Sequence, residues 1–447
     1  MNDKIKTVYV PIGVPTFHLE TAERFFRASK ELLKGLGEDI ICPDEMLLST
    51  ELLKGFLADQ KPDVIILQNI TFANASYAAE INLAFPEADI ILWALREPEG
   101  CGERLKLNSL TGVFSASNVL HNLGRTCVPC VIGNPEDKET GRKLSVLLKA
   151  SSVVKSLKGA KIATVGHTPQ GFGFGQALDV ELQKNFGAKL VSIEARELIE
   201  NARQYNENDV SEYMTDAENR MSGLSKIPQN NRWDFARLYR AYDRFVKDNG
   251  ISALASRCWP DFFTDFGTPV CAVLGILNDM GIPAACETDI YGALSMFIGC
   301  LAGEGPAFFG DPVAFNEKDN TITFWHCGMA PCSLARKGNA FTSVHCNRKI
   351  GPTLEFGCRE SESAVIFRIG RTPDGSFRFF IAQGSAVDAE KQFHGTSTVI
   401  KTKTAASDII AFGIDKGWEP HYAVIYTDCA DVLEKVGELL GIPVFRL

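Results

Sequence analysis

AACETDIYGALSMFIGCLAGEGPAFFGDPVAFNEKDNTITFWHCGMAPC, residues 284–332, sets three polar groups in apolar company: Glu287, Asp311 and His326. Glu287 follows the apolar run Gly281–Cys286, which reads as a buried strand, and precedes a helical run over Tyr291–Leu301. A carboxylate therefore stands at a strand's carboxyl end, where open α/β sheets bind ligands. Asp311 lies between Phe308-Phe309-Gly310 and a proline, so the apolar segment is expected to stop there and the chain to turn. His326 falls at the end of the alternating run Ile322–His326, a strand closed by glycine and proline.

Carboxylates and an imidazole delivered from separate element ends suit a hard or borderline divalent ion. They equally suit proton transfer, because paired carboxylates can divide acid and base roles. Each residue alone also has an ordinary structural use: the Glu caps a helix, the Asp makes a turn, the His packs.

Upstream, apolar runs at 4–14, 40–42, 63–67 and 88–95 alternate with helical spacing at 19–34, 50–58, 77–85 and 137–157. That alternation predicts parallel, doubly wound α/β structure, here a Rossmann-like domain over 1–158. The N-terminal stretch MNDKIKTVYVPIGV has no cleavable apolar core and reads as the first strand. The polar segment Arg96–Leu110 follows the fourth strand and is a ligand-side loop or ordinary surface.

A second α/β domain is expected over 159–305, opening on the strand Gly159–Val165. The glycine-rich Pro169–Gly175 lacks both the GxGxxG spacing and the following acid of a nucleotide fingerprint. Residues 201–249 are polar and helical, and the strand after Gly250 ends in Arg257-Cys-Trp259-Pro. A Gly- and Pro-punctuated helix is expected from Asp265 to Asp279. Beyond 305, short alternating strands at 321–325, 363–369, 376–383 and 423–427, with the Asp374-Gly375 hairpin signal, predict a β-rich, barrel-like third domain over 306–447.

A chain of 447 residues has room for two or three substantial cores. With 45% hydrophobic and 23% charged residues it has ordinary globular composition, and a formal net charge of −9 without basic blocks argues against nucleic acid. Its apolar runs fall short of the roughly 18 residues a membrane span needs, so a cytoplasmic protein without membrane association is expected. The 13 cysteines are odd in number and scattered among apolar runs, as buried free thiols are. Cys127 and Cys130 form a CxxC pair, but no second Cys/His pair has zinc-site spacing and the context is not that of a thioredoxin motif.

CETDIYGAL, the following Gly-Asp-Pro, WHCGMAP and the late PHYAVIYTD around His421 together resemble the L-fucose/L-arabinose isomerase-like family. The resemblance implies a metal-dependent aldose–ketose isomerase acting by enediolate proton transfer between C1 and C2 of a sugar. It implies Mn²⁺ or another divalent cation on Glu287, Asp311 and His421, with Glu287 and Asp311 also moving the proton. Arg257, Trp259, His326, Gln170 and Phe172 would line the sugar, and Arg96, Arg104 or Asn108 would reach a neighbouring subunit's site in a homo-oligomer, a trimer or hexamer. The chain is shorter than the fucose isomerases proper. The shorter branch includes sulfoquinovose isomerases, and Arg257 and Arg336 would suit a sulfonate through charge-assisted hydrogen bonds. Two other classes stay open: a sugar-binding protein without catalysis, and a metal-dependent hydrolase.

Overall fold

β1 (Thr7–Ile12) is TVYVPI, buried at every position, as a central parallel strand covered on both faces must be. Val8 and Val10 point into one apolar core and Tyr9 into another. β2 (Ile40–Ile41), β3 (Val64–Asn69), β4 (Asp89–Ala94) and β5 (Cys130–Ile132) complete a five-stranded sheet in the order β2-β1-β3-β4-β5. All its pairings are parallel, the order of a doubly wound fold. Helices start where short polar side chains cap them: Ser49 accepts from Leu52 N–H ahead of Thr50–Leu57, and Asn74 from Ser76 N–H ahead of Ala75–Ala84.

These residues are those of a computed structural model that describes 5–37, 39–100 and 104–447. Residues 1–4, at the edge of the expected first strand, and 101–103, in the Arg96–Leu110 loop, lie outside the described residues. The chain divides into two compact units, Met1–Ser156 and Leu157–Leu447. Among the described residues no helix is long and apolar enough to cross a membrane.

The second unit holds two large sheets. β6 (Lys161–Val165), β7 (Lys189–Ile193), β8 (Ala253–Ser256) and β9 (Ala284–Cys286) pair in parallel in the order β7-β6-β8-β9. Next come β10 (Ala307–Asn316), β11 (Thr321–His326), the small pair β12 (Thr342–Ser343) and β13 (Thr353–Leu354), and β14 (Phe356–Gly357). β15 (Ser361–Arg371) and β16 (Phe377–Ala386) form the hairpin around Asp374-Gly375, followed by β17 (Thr396–Thr402), β18 (Tyr422–Ile425) and β19 (Val444–Arg446). The large mixed sheet runs β14-β17-β11-β10-β18-β15-β16-β19, and β17 also pairs with β16. The pairing of six strands is thus cyclic.

Two local expectations need correcting. The chain does not turn at Asp311: β10 continues to Asn316, with Asp311 opposite Trp325, Pro312 opposite Phe324 and a register shift after Pro312. Pairing with β18 stops at Gly310 and pairing with β11 begins at Asp311; the bulge accommodates a proline that has no N–H for the ladder. The helix expected from Asp265 is two elements, a π turn at Phe262–Phe266 and a helix at Cys271–Asp279. Gly267, with φ 80°, closes the first, and Pro269 restricts the residues between.

The helix Ile290–Gly303 is apolar nearly all round and almost wholly buried. A Cβ on Gly299 or Gly303 would come within 2.7 or 2.4 Å of Ile425, so these glycines let the helix lie directly on β18. Glu287 and Asp289 precede this helix, and His421 immediately precedes β18. One close packing contact sets both sides of the site.

Candidate active site

β9 delivers Glu287 and Thr288 in left-handed backbone, φ 57° at each, a conformation that costs a non-glycine residue about 1–3 kcal/mol. The surroundings hold it: Thr288 N–H donates to Ser256 O at 3.2 Å, Asp289 N–H to Cys286 O at 3.1 Å, and Thr288 Oγ1 to His167 O at 3.3 Å. The sharp bend turns the Glu287 carboxylate away from the sheet, and Asp289 then caps the helix by accepting from Gly292 N–H at 2.8 Å.

Asp289 does more than cap. It is fully buried and takes both arms of the equally buried Arg368, at 2.6 and 3.1 Å. Its Oδ2 also accepts from His421 Nδ1 at 2.9 Å. Because a carboxylate accepts here, the Nδ1 of His421 carries a proton, and Nε2 faces Glu287 Oε2 at 3.2 Å and Asp311 Oδ1 at 3.4 Å. Phe309 and Phe174 pack on the imidazole, with ring centres at 4.8 and 5.4 Å. The fourth polar group, His326, lies 5.8 Å from it by ring centres.

The charges are mutually tuned. Burial alone would raise Asp289, but Arg368 and then His421 hold its carboxyl well below the usual range. Burial alone would lower His421; its hydrogen bonds to Asp289 and Glu287 and the charge of Asp311 outweigh that and push it up to about 9. Desolvation raises Asp311 against the pull of His421 and His326. The cluster therefore concentrates negative charge around an imidazole, which is the electrostatic condition of a cation site.

Donor atoms of Glu287, His326 and His421 lie within 4.8 Å of one another, and Asp311 adds a second carboxylate. Neighbouring ligands of an octahedral ion with bonds of about 2.1 Å sit about 3 Å apart, close to the spacing of Glu287, Asp311 and His421. Oxygen and imidazole donors with no thiolate, backed by a carboxylate on the far nitrogen of the His, fit Mn²⁺ or a similar ion.

Several expected residues gather nearby. Trp259 meets Phe172 edge-on at 6.3 Å, Phe172 meets Phe174 at 5.6 Å, and Phe174 meets His421. Gln170 is exposed on the same glycine-rich turn. Arg257 directs its Nε at Asp261, at 2.5 Å, and at Trp259 O, at 3.2 Å. Arg336 is occupied by Asp388, at 2.5 and 2.9 Å, with Glu390 at 3.5 Å. Arg96, Arg104 and Asn108 belong to the first unit. There Arg96 pairs with Asp137 at 2.6 Å, Arg104 donates to Thr16 O at 2.9 Å, and Asn108 N–H donates to Glu97 at 2.7 Å. Cys127 and Cys130 flank the start of β5 in that unit.

Sequence reading passed over Asp289 and Arg368. Asp289 sits in the quoted Cys-Glu-Thr-Asp string, where that reading gives the helix cap to Glu287, and the charged residue in the apolar run Ala364–Gly370 is the signal for Arg368.

Gly175 closes the glycine-rich turn onto this site: an added Cβ would lie 2.7 Å from Asp289 Cα and 3.1 Å from Thr288 O. Both are backbone atoms that cannot step aside. Gly175→Ala is expected to cost about 1–3 kcal/mol, read as a lower midpoint of urea unfolding; an unchanged midpoint would mean that the turn is not tied to the Glu287–Asp289 segment.

No family model matches the chain. The sulfoquinovose isomerase of Clostridium sp. (strain MSTE9) is 52% identical over 436 residues, 97% of this chain and 97% of the relative. Those of Priestia aryabhattai and Alkalicoccus urumqiensis are 37% and 35% identical over 440 and 450 residues, covering 97% and 99% of both chains. Among solved structures, GanP, a glucose-galactose binding protein from Geobacillus stearothermophilus, covers 67% of this chain and 92% of its own at 14% identity. Its TM-score of 0.17 carries no argument.

Proposed function

The chain belongs to the sulfoquinovose isomerase family and is an isomerase, and from that premise we propose that it converts sulfoquinovose to 6-deoxy-6-sulfofructose at the Glu287–Asp311–His326–His421 cluster. The observation that carries this reading is convergence: two carboxylates approach one imidazole nitrogen, whose opposite nitrogen is fixed by a buried Asp–Arg pair.

Aldose–ketose isomerisation moves a proton from C2 to C1 of the open-chain sugar and the hydroxyl proton from O2 to O1. Glu287 and Asp311 are the bases available, both beside Nε2 of His421, and the desolvation of Asp311 suits a group that must hold a proton briefly. A divalent cation held by Glu287, Asp311 and His421 would polarise the sugar's O1 and O2 and stabilise the negative charge that develops when C2 is deprotonated. His326 accepts Cys327 N–H at Nδ1, 3.0 Å away, so its neutral ring carries the proton on Nε2. That makes it a hydrogen-bond donor to a sugar hydroxyl. Trp259, Phe172 and Phe174 supply the apolar wall on which a sugar face packs, with Gln170 and Arg257 beside it.

The likeness to L-fucose/L-arabinose isomerases is the source of two further parts of the proposal: Mn²⁺ as the ion, and a homo-oligomer in which Arg96 or Asn108 approaches another copy's site. The exposed Leu110 and Phe114, on the helix that Asn108 precedes, support a contact face between copies.

The test is isomerisation followed by NMR in D₂O. Metal-stripped chain with Mn²⁺ and sulfoquinovose is expected to yield the sulfonated ketose and deuterium at C2 of recovered substrate. Stripping without reconstitution is expected to lower turnover by about 100-fold or more. Full activity after chelation would remove the cation from the proposal, and no ketose at all would overturn it.

A further inference from the structure

Two lines of contact leave His421 and meet again at one exposed cation. Along the first, the rings of Phe174, Phe172 and Trp259 follow one another, and the guanidinium of Arg348 stands over Trp259, 5.7 Å from its ring centre. Along the second, His326 lies 3.5 Å from the Cys327 thiol, and the His345 side chain is a near neighbour of that thiol. Nδ1 of His345 in turn accepts the backbone N–H groups of Asn347 and Arg348, each at 3.2 Å.

His345 is buried, and Phe263 packs edge-on against its ring at 5.0 Å. It therefore fastens the loop between β12 and β13 from beneath. The loop reverses through Lys349, whose φ is 60°, and Arg348 is left exposed with its guanidinium on an aromatic face. Arg336 has spent its fork on Asp388 and Glu390, and Arg257 has committed its Nε to Asp261 and to Trp259 O. Arg348 offers five donors to an incoming anion.

Resting on the proposed activity, we infer that Arg348, with the Trp259 face beneath it, is the subsite for the sulfonate of the sugar, and so the residue that selects a C6-anionic aldose over a neutral one. A sulfonate on C6 lies at the opposite end of the molecule from C1 and C2. The line of rings runs from the carboxylate–imidazole cluster at one end to this guanidinium at the other, an order that matches that substrate's polarity. A sulfonate, tetrahedral at sulfur, can turn two of its three oxygens toward a planar fork, while a sugar with a C6 hydroxyl gives the same fork little to bind.

The experiment compares the wild-type chain, Arg348→Gln and Arg348→Lys, each loaded with Mn²⁺, on sulfoquinovose and on glucose. Arg348→Gln is expected to raise KM for sulfoquinovose about 10–100-fold, the worth of a hydrogen bond to a charged group, with kcat changed less than about threefold and glucose turnover unaffected. Arg348→Lys is expected to recover part of the loss, because it restores charge without the fork. An unchanged KM, or equal losses on both sugars, overturns the inference while leaving the isomerase reading in place. Should the wild-type chain bind sulfoquinovose without turning it over, the isomerase reading falls. Calorimetry then decides for Arg348: the same 10–100-fold weakening by Arg348→Gln supports the inference, and equal affinity sinks it.

Discussion

Glu287→Gln is expected to lower turnover of sulfoquinovose by about 10²–10⁴-fold, the range over which general acid–base catalysis contributes. The substitution keeps the shape of the side chain and removes only its charge and proton-accepting oxygen. The left-handed backbone at Glu287 and Thr288 is held by Ser256 O, Cys286 O and His167 O, none of which touches the Glu287 carboxyl. Thermal unfolding is therefore expected to change little while both the base and a proposed cation ligand are lost. A variant that keeps more than about a tenth of wild-type kcat would show that the chemistry lies elsewhere.

Arg368→Ala carries the largest expected effect on stability. Asp289 and Arg368 are each completely buried and bonded to one another twice, and removing one partner strands the other's charge in a medium of low polarity. The expected cost is about 3–5 kcal/mol, measured by urea unfolding. A paired replacement, Asp289→Asn with Arg368→Met, leaves no isolated charge and is expected to be less destabilised than Arg368→Ala alone. If the double variant is the less stable of the two, the pair is not the buried charge couple described above. The double variant also loses the carboxylate that orients His421, so it is expected to bind Mn²⁺ about 10–100-fold more weakly even where it folds.

The two results separate what each side chain does. In the proposed reaction Glu287 acts on the substrate, and Asp289 and Arg368 act through His421. Only the first kind of residue was legible in the chain. Glu287 and His326 stood out because each is a polar group at the end of an apolar run, where ordinary packing does not require one; His421 stood out only through the family resemblance. Asp311 stood out for the same reason, although the inference about its backbone was mistaken. A proline after an aspartate signals a turn in isolation, and only the partner strand reveals that the ladder absorbs it with a bulge.

Asp289 and Arg368 escaped for a physical reason. A helix cap explains Asp289 locally, and its partners Arg368 and His421 are 79 and 132 residues away. No periodicity reports a contact at that separation. Arg348 was equally hidden, because a cation in a loop is ordinary until the ring beneath it is known. The parallel sheets were more accessible, since runs such as Val64–Leu67 bury both faces and read as central strands. Ring closure through β16 and β17 depends on register, which hydrophobic pattern does not specify.

The long separation between Asp289 and its partners has a consequence for the chain's history on the ribosome. The α/β segments emerge first with Glu287 directly after β9, but Arg368 follows only after β10 and β11, and His421 arrives just ahead of β18. Until then Asp289 has neither its cation nor its imidazole, and a nascent chain has to keep that carboxylate hydrated rather than bury it. A ribosome that stops before residue 421 releases a product with half a cluster and an open sheet edge, the kind of surface that quality control recognises.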